Sequence, residues 1–229
     1  MSRLDVDAVV FDVLGTMVDE PGGIERGVRA LVPGRDDPCV GELVRTWRAY
    51  VDEQQREILA GRRPYATSTV VDTEAARCVA AAAGVEDADA VRALAAEARR
   101  LEPWPDSIRG LDRIASHRWV AGLSNASRSA LIQLSAYAGL RWHRMLSAED
   151  ARSYKPRPEV YRLAVADAGV SPDRLLMVAA HAWDLRGAQA VGMRTAYVVR
   201  PVGDPPRATD AFDVYAEGLD DLALQLEAA

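Results

Sequence analysis

Residues 8–19 read AVVFDVLGTMVD. Four apolar residues, Ala8, Val9, Val10 and Phe11, run without interruption into Asp12, and a glycine and a threonine follow at positions 15 and 16. A continuous apolar run of this kind, bounded by turn residues, is the pattern of a strand buried on both faces. Such a strand has no solvent face on which to place a carboxylate, so Asp12 belongs at its end, where the chain leaves the sheet. Two places further on stands Leu14, apolar where a second charged residue could have extended the polar cluster.

The same kind of run recurs at 119–125 (WVAGLSN), 144–149 (RMLSAE), 175–181 (LLMVAAH) and 195–200 (TAYVVR). Helical patterns lie between them. In PDSIRGLDRIASH the residues Ile108, Leu111, Ile114 and Ala115 share one face, and SRSALIQLSAYAG and RPEVYRLAVADAG are closed by Gly139 and Gly169. Glycine after the last apolar turn is a helix stop. Strands alternating with helices give βαβ units, so the fold class is α/β: a doubly wound, mainly parallel sheet with a Rossmann-like core. Residues 20–102 break the alternation. They are helical in pattern, with Val40, Leu43, Val44, Trp47 and Val51 at helical spacing before Gly61, and they read as a helical cap inserted after the first strand. The core is then expected at 1–19 and 103–229, with LEPWPD at 101–106 as the return hinge, stiffened by Pro103 and Pro105. The segment after Arg200 reads as a proline-rich loop before a short last helix.

Composition narrows the function. The chain has 229 residues, of which 49% are hydrophobic, enough for a substantial core, and a formal net charge of −6. Its basic residues are dispersed, which argues against a nucleic-acid partner. The apolar runs are too short to span a membrane, and Asp5 and Asp7 interrupt any secretory pattern at the start, so a cytoplasmic protein is expected. Cys39 and Cys78 are then reduced and structural, since neither lies in a metal-spaced cluster.

In a parallel sheet the ligand site lies beyond the carboxyl ends of the strands. Taken in order, those ends supply Asp12, Gly15 and Thr16; then Ser124 and Asn125; then Lys155 and Tyr161 from SYKPRPEVY; then His181 and Asp184 from AAHAWD. Each is weak alone: Ser124-Asn125 is an ordinary helix-start pair, Asp184 could be a cap, and a lone His181 could fill the interior. Pro156 does hold Lys155 out of helical geometry. The arrival of all of them in this order on successive strands is the stronger signal.

In this order FDVLGT, LSNAS, YKPRPEVY and AHAWDLRGA resemble the four motifs of the haloacid dehalogenase superfamily. PGR at 33–35, Trp47-Arg48 and Trp183-Asp184 are similar to the type II branch, the (S)-2-haloacid dehalogenases, and the likeness runs nearly end to end. In the phosphatases of the superfamily the residue two after the nucleophile is a second aspartate that protonates the leaving alcohol, and the last motif carries an acidic metal ligand. Here those positions are Leu14 and Ala180. An alkyl halide needs neither acid nor metal, so the resemblance implies hydrolytic dehalogenation of small 2-haloacids with no cofactor and no metal.

The mechanism that the resemblance implies starts with Asp12, already anionic at neutral pH, attacking the halogen-bearing carbon and forming an ester. Lys155 holds that carboxylate anionic and Tyr161 orients the lysine. Thr16, Ser124 and the main-chain amides at Ser124 and Asn125 take the substrate carboxylate. Arg48 meets the halide or the carboxylate. Leu14, Gly15, Trp47 and Trp183 line the substrate pocket. The familiar dehalogenases have an aromatic residue at the position of Leu14, and Ser and Asn at those of Ala179 and His181, where they help place the hydrolytic water. His181, backed by Asp184, is therefore the expected base for ester hydrolysis. A homodimer is implied by analogy. The alternatives are a hydrolase of the same superfamily acting on another small substrate such as a phosphate ester, and a non-catalytic relative.

Overall fold

The computed structural model describes residues 5–228. The opening apolar run forms β1 (Ala8–Phe11), buried along its whole length. Its alternate residues divide between two faces: Val9 and Phe11 join one hydrophobic cluster, Ala8 and Val10 the other. The remaining strands are β2 (Trp119–Ser124), β3 (Arg144–Ser147), β4 (Leu175–Ala179), β5 (Arg194–Val198) and β6 (Val214–Ala216). They make one six-stranded sheet in the order β3-β2-β1-β4-β5-β6, parallel at every pairing. The order reverses beside β1, which pairs with β2 on one side and β4 on the other. Crossovers from that point go to opposite faces of the sheet and leave a crevice at the strand ends. Phe11 is in register with Gly122 and with Val178, so all three of these strands end at nearly the same level.

The first four helices are α1 (Glu20–Leu31), α2 (Asp37–Leu59), α3 (Ser68–Ala83) and α4 (Ala88–Ala96). They enclose a hydrophobic cluster of their own, which includes Ile24, Val28, Leu43, Trp47, Val79 and Leu94. In α1, Ile24, Gly27, Val28 and Leu31 recur at helical spacing on the buried face. Asp19 caps this helix by accepting from the Gly22 N–H, and Pro21 suits its first turn. Two of the glycines are needed for close packing: a Cβ on Gly23 would lie 2.2 Å from Leu101, and one on Gly27 2.5 Å from Glu97.

Five helices cover the sheet: α5 (Ser107–Ala115), α6 (Arg128–Ala138), α7 (Pro158–Ala168), α8 (Ala182–Gln189) and α9 (Leu219–Glu227). The helices α5, α6 and α9 pack on one face, α7 and α8 on the other. Gly139 and Gly169 end α6 and α7 in the left-handed conformation, as glycine stops require. Two expectations need correction. Ile108 does not share the buried face of α5; it is exposed, and Ser107 and Gly110 pack inward beside Leu111 and Ile114. The segment after Arg200 is not all loop before its last helix, since it supplies the edge strand β6.

Arg200 ties this region to the strand ends, with Nε donating to the Thr16 carbonyl at 2.8 Å and Nη1 to Asp106 at 2.8 Å. Cys39 and Cys78 are free thiols. No helix among the described residues is long and apolar enough to cross a membrane.

Candidate active site

Asp12 follows β1 directly, and its N–H donates to the Val178 carbonyl at 2.9 Å, which fixes the main chain at the reversal point. Its carboxylate is held from both sides. Thr16 Oγ1 donates to Oδ2 at 2.6 Å, and Lys155 Nζ donates to Oδ1 at 2.8 Å. The same ammonium donates to Asp184 Oδ2, also at 2.8 Å, and both side chains are buried. Tyr161 Oη, on α7, donates to the other oxygen of Asp184 at 2.6 Å. Gly187 on α8 makes room for that phenol, since a Cβ there would sit 2.4 Å from the hydroxyl. Lys155 reaches this position because Asn125 Oδ1 accepts its main-chain N–H at 2.9 Å, which anchors its turn to the end of β2.

This chain of contacts explains the direction of each titration. Burial works against the Lys155 ammonium, but Asp12 and Asp184 outweigh it and hold the lysine above its ordinary value. Burial pushes Asp184 up, and Asp12 adds to that, because one ammonium serves two carboxylates. Tyr161 is likewise raised by burial and then by Asp184, so its proton stays in the hydrogen bond.

His181 stands at the start of α8, above the end of β4. Its Nδ1 lies 3.0 Å from Asp204 Oδ2 and its Nε2 3.3 Å from the Leu14 carbonyl. This corrects the pairing read from sequence: the carboxylate behind His181 is Asp204, while Asp184 is taken up by Lys155 and Tyr161. The ring lies over Gly15, where a Cβ would come within 2.6 Å of Nε2, and the positive φ of 78° at Gly15 also favours glycine. The Trp183 ring sits beside it, with centroids 5.8 Å apart. Burial lowers the affinity of His181 for a proton. Asp12, the Asp204 hydrogen bond and Asp184 outweigh this, and its pKa is raised.

A cavity of about 350 Å³ opens between the strand ends and the helices α1 and α2. Asp12, Leu14, Gly15, Asn125, His181 and Trp183 line the strand side, and Trp47 and Arg48 face them from α2. Two expected substrate contacts are absent from that lining. The Thr16 hydroxyl is buried, already donating to Asp12 and accepting from the Ala180 N–H at 3.0 Å. Ser124 Oγ is buried and accepts from the Ala126 N–H at 3.1 Å. Thr16 thereby holds the nucleophile, and Ser124 holds the turn after β2. Sequence reasoning missed Glu20, Asp52, Gln55 and Asp204, which also line the cavity. No local sequence pattern points Glu20 inward. Burial pushes the Glu20 carboxyl above its ordinary value.

Among the described residues no group of three or more His, Cys, Asp or Glu side chains is arranged to hold a metal ion. The point between Asp12 and Asp184 is filled by the Lys155 ammonium.

A doubly wound parallel sheet with an aspartate–lysine pair buried at its reversal point, beneath a helical lobe carrying an arginine, defines a class of α/β hydrolases. The sequence model of haloacid dehalogenase-like hydrolases matches residues 6–192, and the chain belongs to that family, in its (S)-2-haloacid dehalogenase-like branch. The (S)-2-haloacid dehalogenase of Xanthobacter autotrophicus is 32% identical over 199 residues, covering 85% of this chain and 76% of that one. The crystal structure of an L-2-haloacid dehalogenase superposes with a TM-score of 0.89 at 30% identity, over 98% of this chain and all of the other (100%). The structure of the Xanthobacter autotrophicus L-2-haloacid dehalogenase with chloropropionic acid covalently bound superposes with a TM-score of 0.81 at 26% identity, over 97% and 98% of the two chains.

Proposed function

We propose that the protein hydrolyses the carbon–halogen bond of small 2-haloacids through an ester on Asp12, without a metal. The observation that carries this reading is the buried Asp12–Lys155 pair, 2.8 Å apart at the floor of a cavity where position 14 is leucine. The lysine supplies the positive charge that a metal supplies elsewhere, and no general acid is needed because a halide leaves without a proton. Asp12 attacks the carbon from the side opposite the halogen, the carbon–oxygen bond forms, and the halide departs with the bonding pair. Water then adds to Cγ of Asp12, not to the substrate carbon, so the inversion of the first step is retained in the hydroxy acid. Arg48, on the cavity wall, takes the substrate carboxylate or the departing halide, and Asn125 lines the same cavity. Leu14, Trp47 and Trp183 keep the reacting carbon in apolar surroundings. The relatives named above, dehalogenases of (S)- or L-2-haloacids, support this substrate class.

The test is halide release from chloroacetate and 2-chloropropionate, with and without EDTA. Release that is unaffected by the chelator and abolished in Asp12→Asn is expected. Magnesium-dependent release of phosphate from p-nitrophenyl phosphate, with no halide release, would instead assign a phosphate ester as the substrate. The same reading places the protein in the cytoplasm as a dimer with no nucleic-acid partner, and sedimentation checks the dimer.

A further inference from the structure

The geometry points to Asp204 as the positioning residue that holds His181 as the base for hydrolysis of the Asp12 ester. The inference rests on the reading of Asp12 as the alkylated nucleophile. It starts from the loop that follows β5. There the Asp204 N–H donates to the Ala180 carbonyl at 3.2 Å, and the Ala182 N–H donates to the Asp204 carbonyl at 2.9 Å. Gly203 adopts a φ of 130°, and a Cβ on it would lie 2.4 Å from the Ala180 oxygen. The loop is therefore clipped by its main chain to the residues on both sides of His181. Asp204 is largely exposed, so packing does not set its direction; the main-chain clip does.

The two ring nitrogens of His181 face Asp204 Oδ2 and the Leu14 carbonyl, and neither oxygen has a proton to give. Both nitrogens therefore carry protons in the resting protein, and the ring is an imidazolium. The groups that face it are Asp12 from the end of β1, Asp184 from α8, Asp204 from its own loop and Glu20 from α1. Arg48 and Asp52 line the same cavity from α2, and Lys155 lies on the far side of Asp12 and Asp184. An imidazolium is no base. Alkylation changes that, because it turns Asp12 from an anion into a neutral ester and removes a buried negative charge that favours the imidazolium. The ring then releases its Nε2 proton to solvent, while Nδ1–H stays on Asp204 and fixes the tautomer.

The steps balance. Nε2 takes a proton from water as the water oxygen bonds to Cγ of Asp12. The tetrahedral carbon expels the substrate oxygen, which takes that proton from Nε2 and leaves as the hydroxyl of the product. The Asp12 carboxylic acid loses its proton to solvent and His181 regains one. The net change is one water consumed, with one halide, one proton and one hydroxy acid released.

The experiment is rapid mixing with 2-chloropropionate, followed by halide assay and intact mass, across pH 5–9, for wild type, Asp204→Asn and Asp204→Glu. Asp204→Asn is expected to release one halide per protein at a rate within about threefold of wild type. It should then hydrolyse the adduct about 10- to 100-fold more slowly, with the acid limb of the hydrolysis profile moved to lower pH; Asp204→Glu should recover part of both. Wild-type hydrolysis with an unmoved limb in Asp204→Asn overturns the inference, and so does slow hydrolysis with an unmoved limb, which a merely structural role would give. Absence of any halide burst in wild type is a different failure, since it removes the dehalogenation reading and this inference with it. The chain has three histidines, His117, His143 and His181, so the ring titration is also accessible by NMR. Asp12→Asn, which mimics the charge of the ester, should lower the His181 titration, and no change would sink the proposal.

Discussion

Replacing Lys155 with methionine keeps the length of the side chain and removes one charge. In the structure that charge is shared by two carboxylates at 2.8 Å each, with all three side chains at most 9% exposed. Breaking a buried pair by removing one partner is destabilising by about 3–5 kcal/mol, because the remaining charge is left uncompensated. Lys155→Met leaves two such charges, so the upper part of that range is expected at neutral pH. With roughly 2–4 °C lost per kcal/mol in a chain of this size, the melting temperature should fall by about 8–20 °C. The sign of the pH dependence follows from the same geometry. Without the ammonium, Asp12 and Asp184 hold protons in the folded protein to higher pH than in the unfolded chain. The folded state then binds more protons above pH 4, and the deficit relative to wild type should grow as the pH rises from 4 to 8. Chemical denaturation at pH 4.5, 6 and 8 reads this directly. The double variant Lys155→Met/Asp184→Asn should recover a large part of the loss, since a single carboxylate with a neutral neighbour is left. A loss below about 1 kcal/mol, or one that shrinks toward pH 8, would refute the view that the lysine is the counter-charge of the site.

Tyr161→Phe removes the 2.6 Å hydrogen bond to Asp184; about 1–3 kcal/mol of stability and a slower first step are expected from denaturation and halide-burst measurements. Gly15→Ala places a methyl against the His181 ring in a backbone conformation with φ of 78°, so it should slow ester hydrolysis more than alkylation, read as adduct accumulation by mass. Arg48→Lys removes a planar fork from the cavity wall and should lower kcat/KM for 2-chloropropionate about tenfold or more, with a smaller change in melting temperature. Asp72 on α3 is pushed up to about 8 by burial and then by Glu20. Its folded pKa lies above the unfolded one, so stability is lost as pH rises between them, and Asp72→Asn should be near neutral at pH 4 and stabilise by a few kcal/mol at pH 8, measured by urea unfolding at both.

The sheet was legible because its inner strands are apolar on both faces. β1, β2 and β4 have no solvent side, so each appears as an unbroken run. β6 escaped notice for the opposite reason: it is a three-residue edge strand, with Val214 and Ala216 inward and Tyr215 outward, too short to show a period. The glycines of α1 serve a purpose no local pattern shows: they let it approach Leu101 and Glu97. At the site, the order of motifs along the chain announced Asp12, Lys155 and Asp184, because strand ends of a parallel sheet must meet. It could not say how hydroxyls are used. Thr16 and Ser124 occupy the expected ends, where Thr16 also donates to the nucleophile and Ser124 also accepts from the turn behind it. Asp204 was out of reach of sequence reading. It lies 23 residues beyond His181, in the exposed stretch PVGDPP, and only the folding of that loop back onto Ala180 and Ala182 brings the two together.

The buried charges themselves say what the site is for. Ion pairs removed from water are weak evidence for stability, and apolar replacements of similar volume often hold a fold as well or better. The two apolar clusters on the faces of the sheet already hold this one together. Around the nucleophile, Lys155 faces Asp12 and Asp184, while His181 faces Asp204 and feels the charge of Asp12. Once Asp12 becomes an ester, one negative charge is lost from this group. A proton released by His181 removes one positive charge with it, so the total is the same before and after, which a region of low dielectric favours. A proton that leaves as the nucleophile is consumed keeps the balance, and it leaves the ring basic only while there is an ester to cleave.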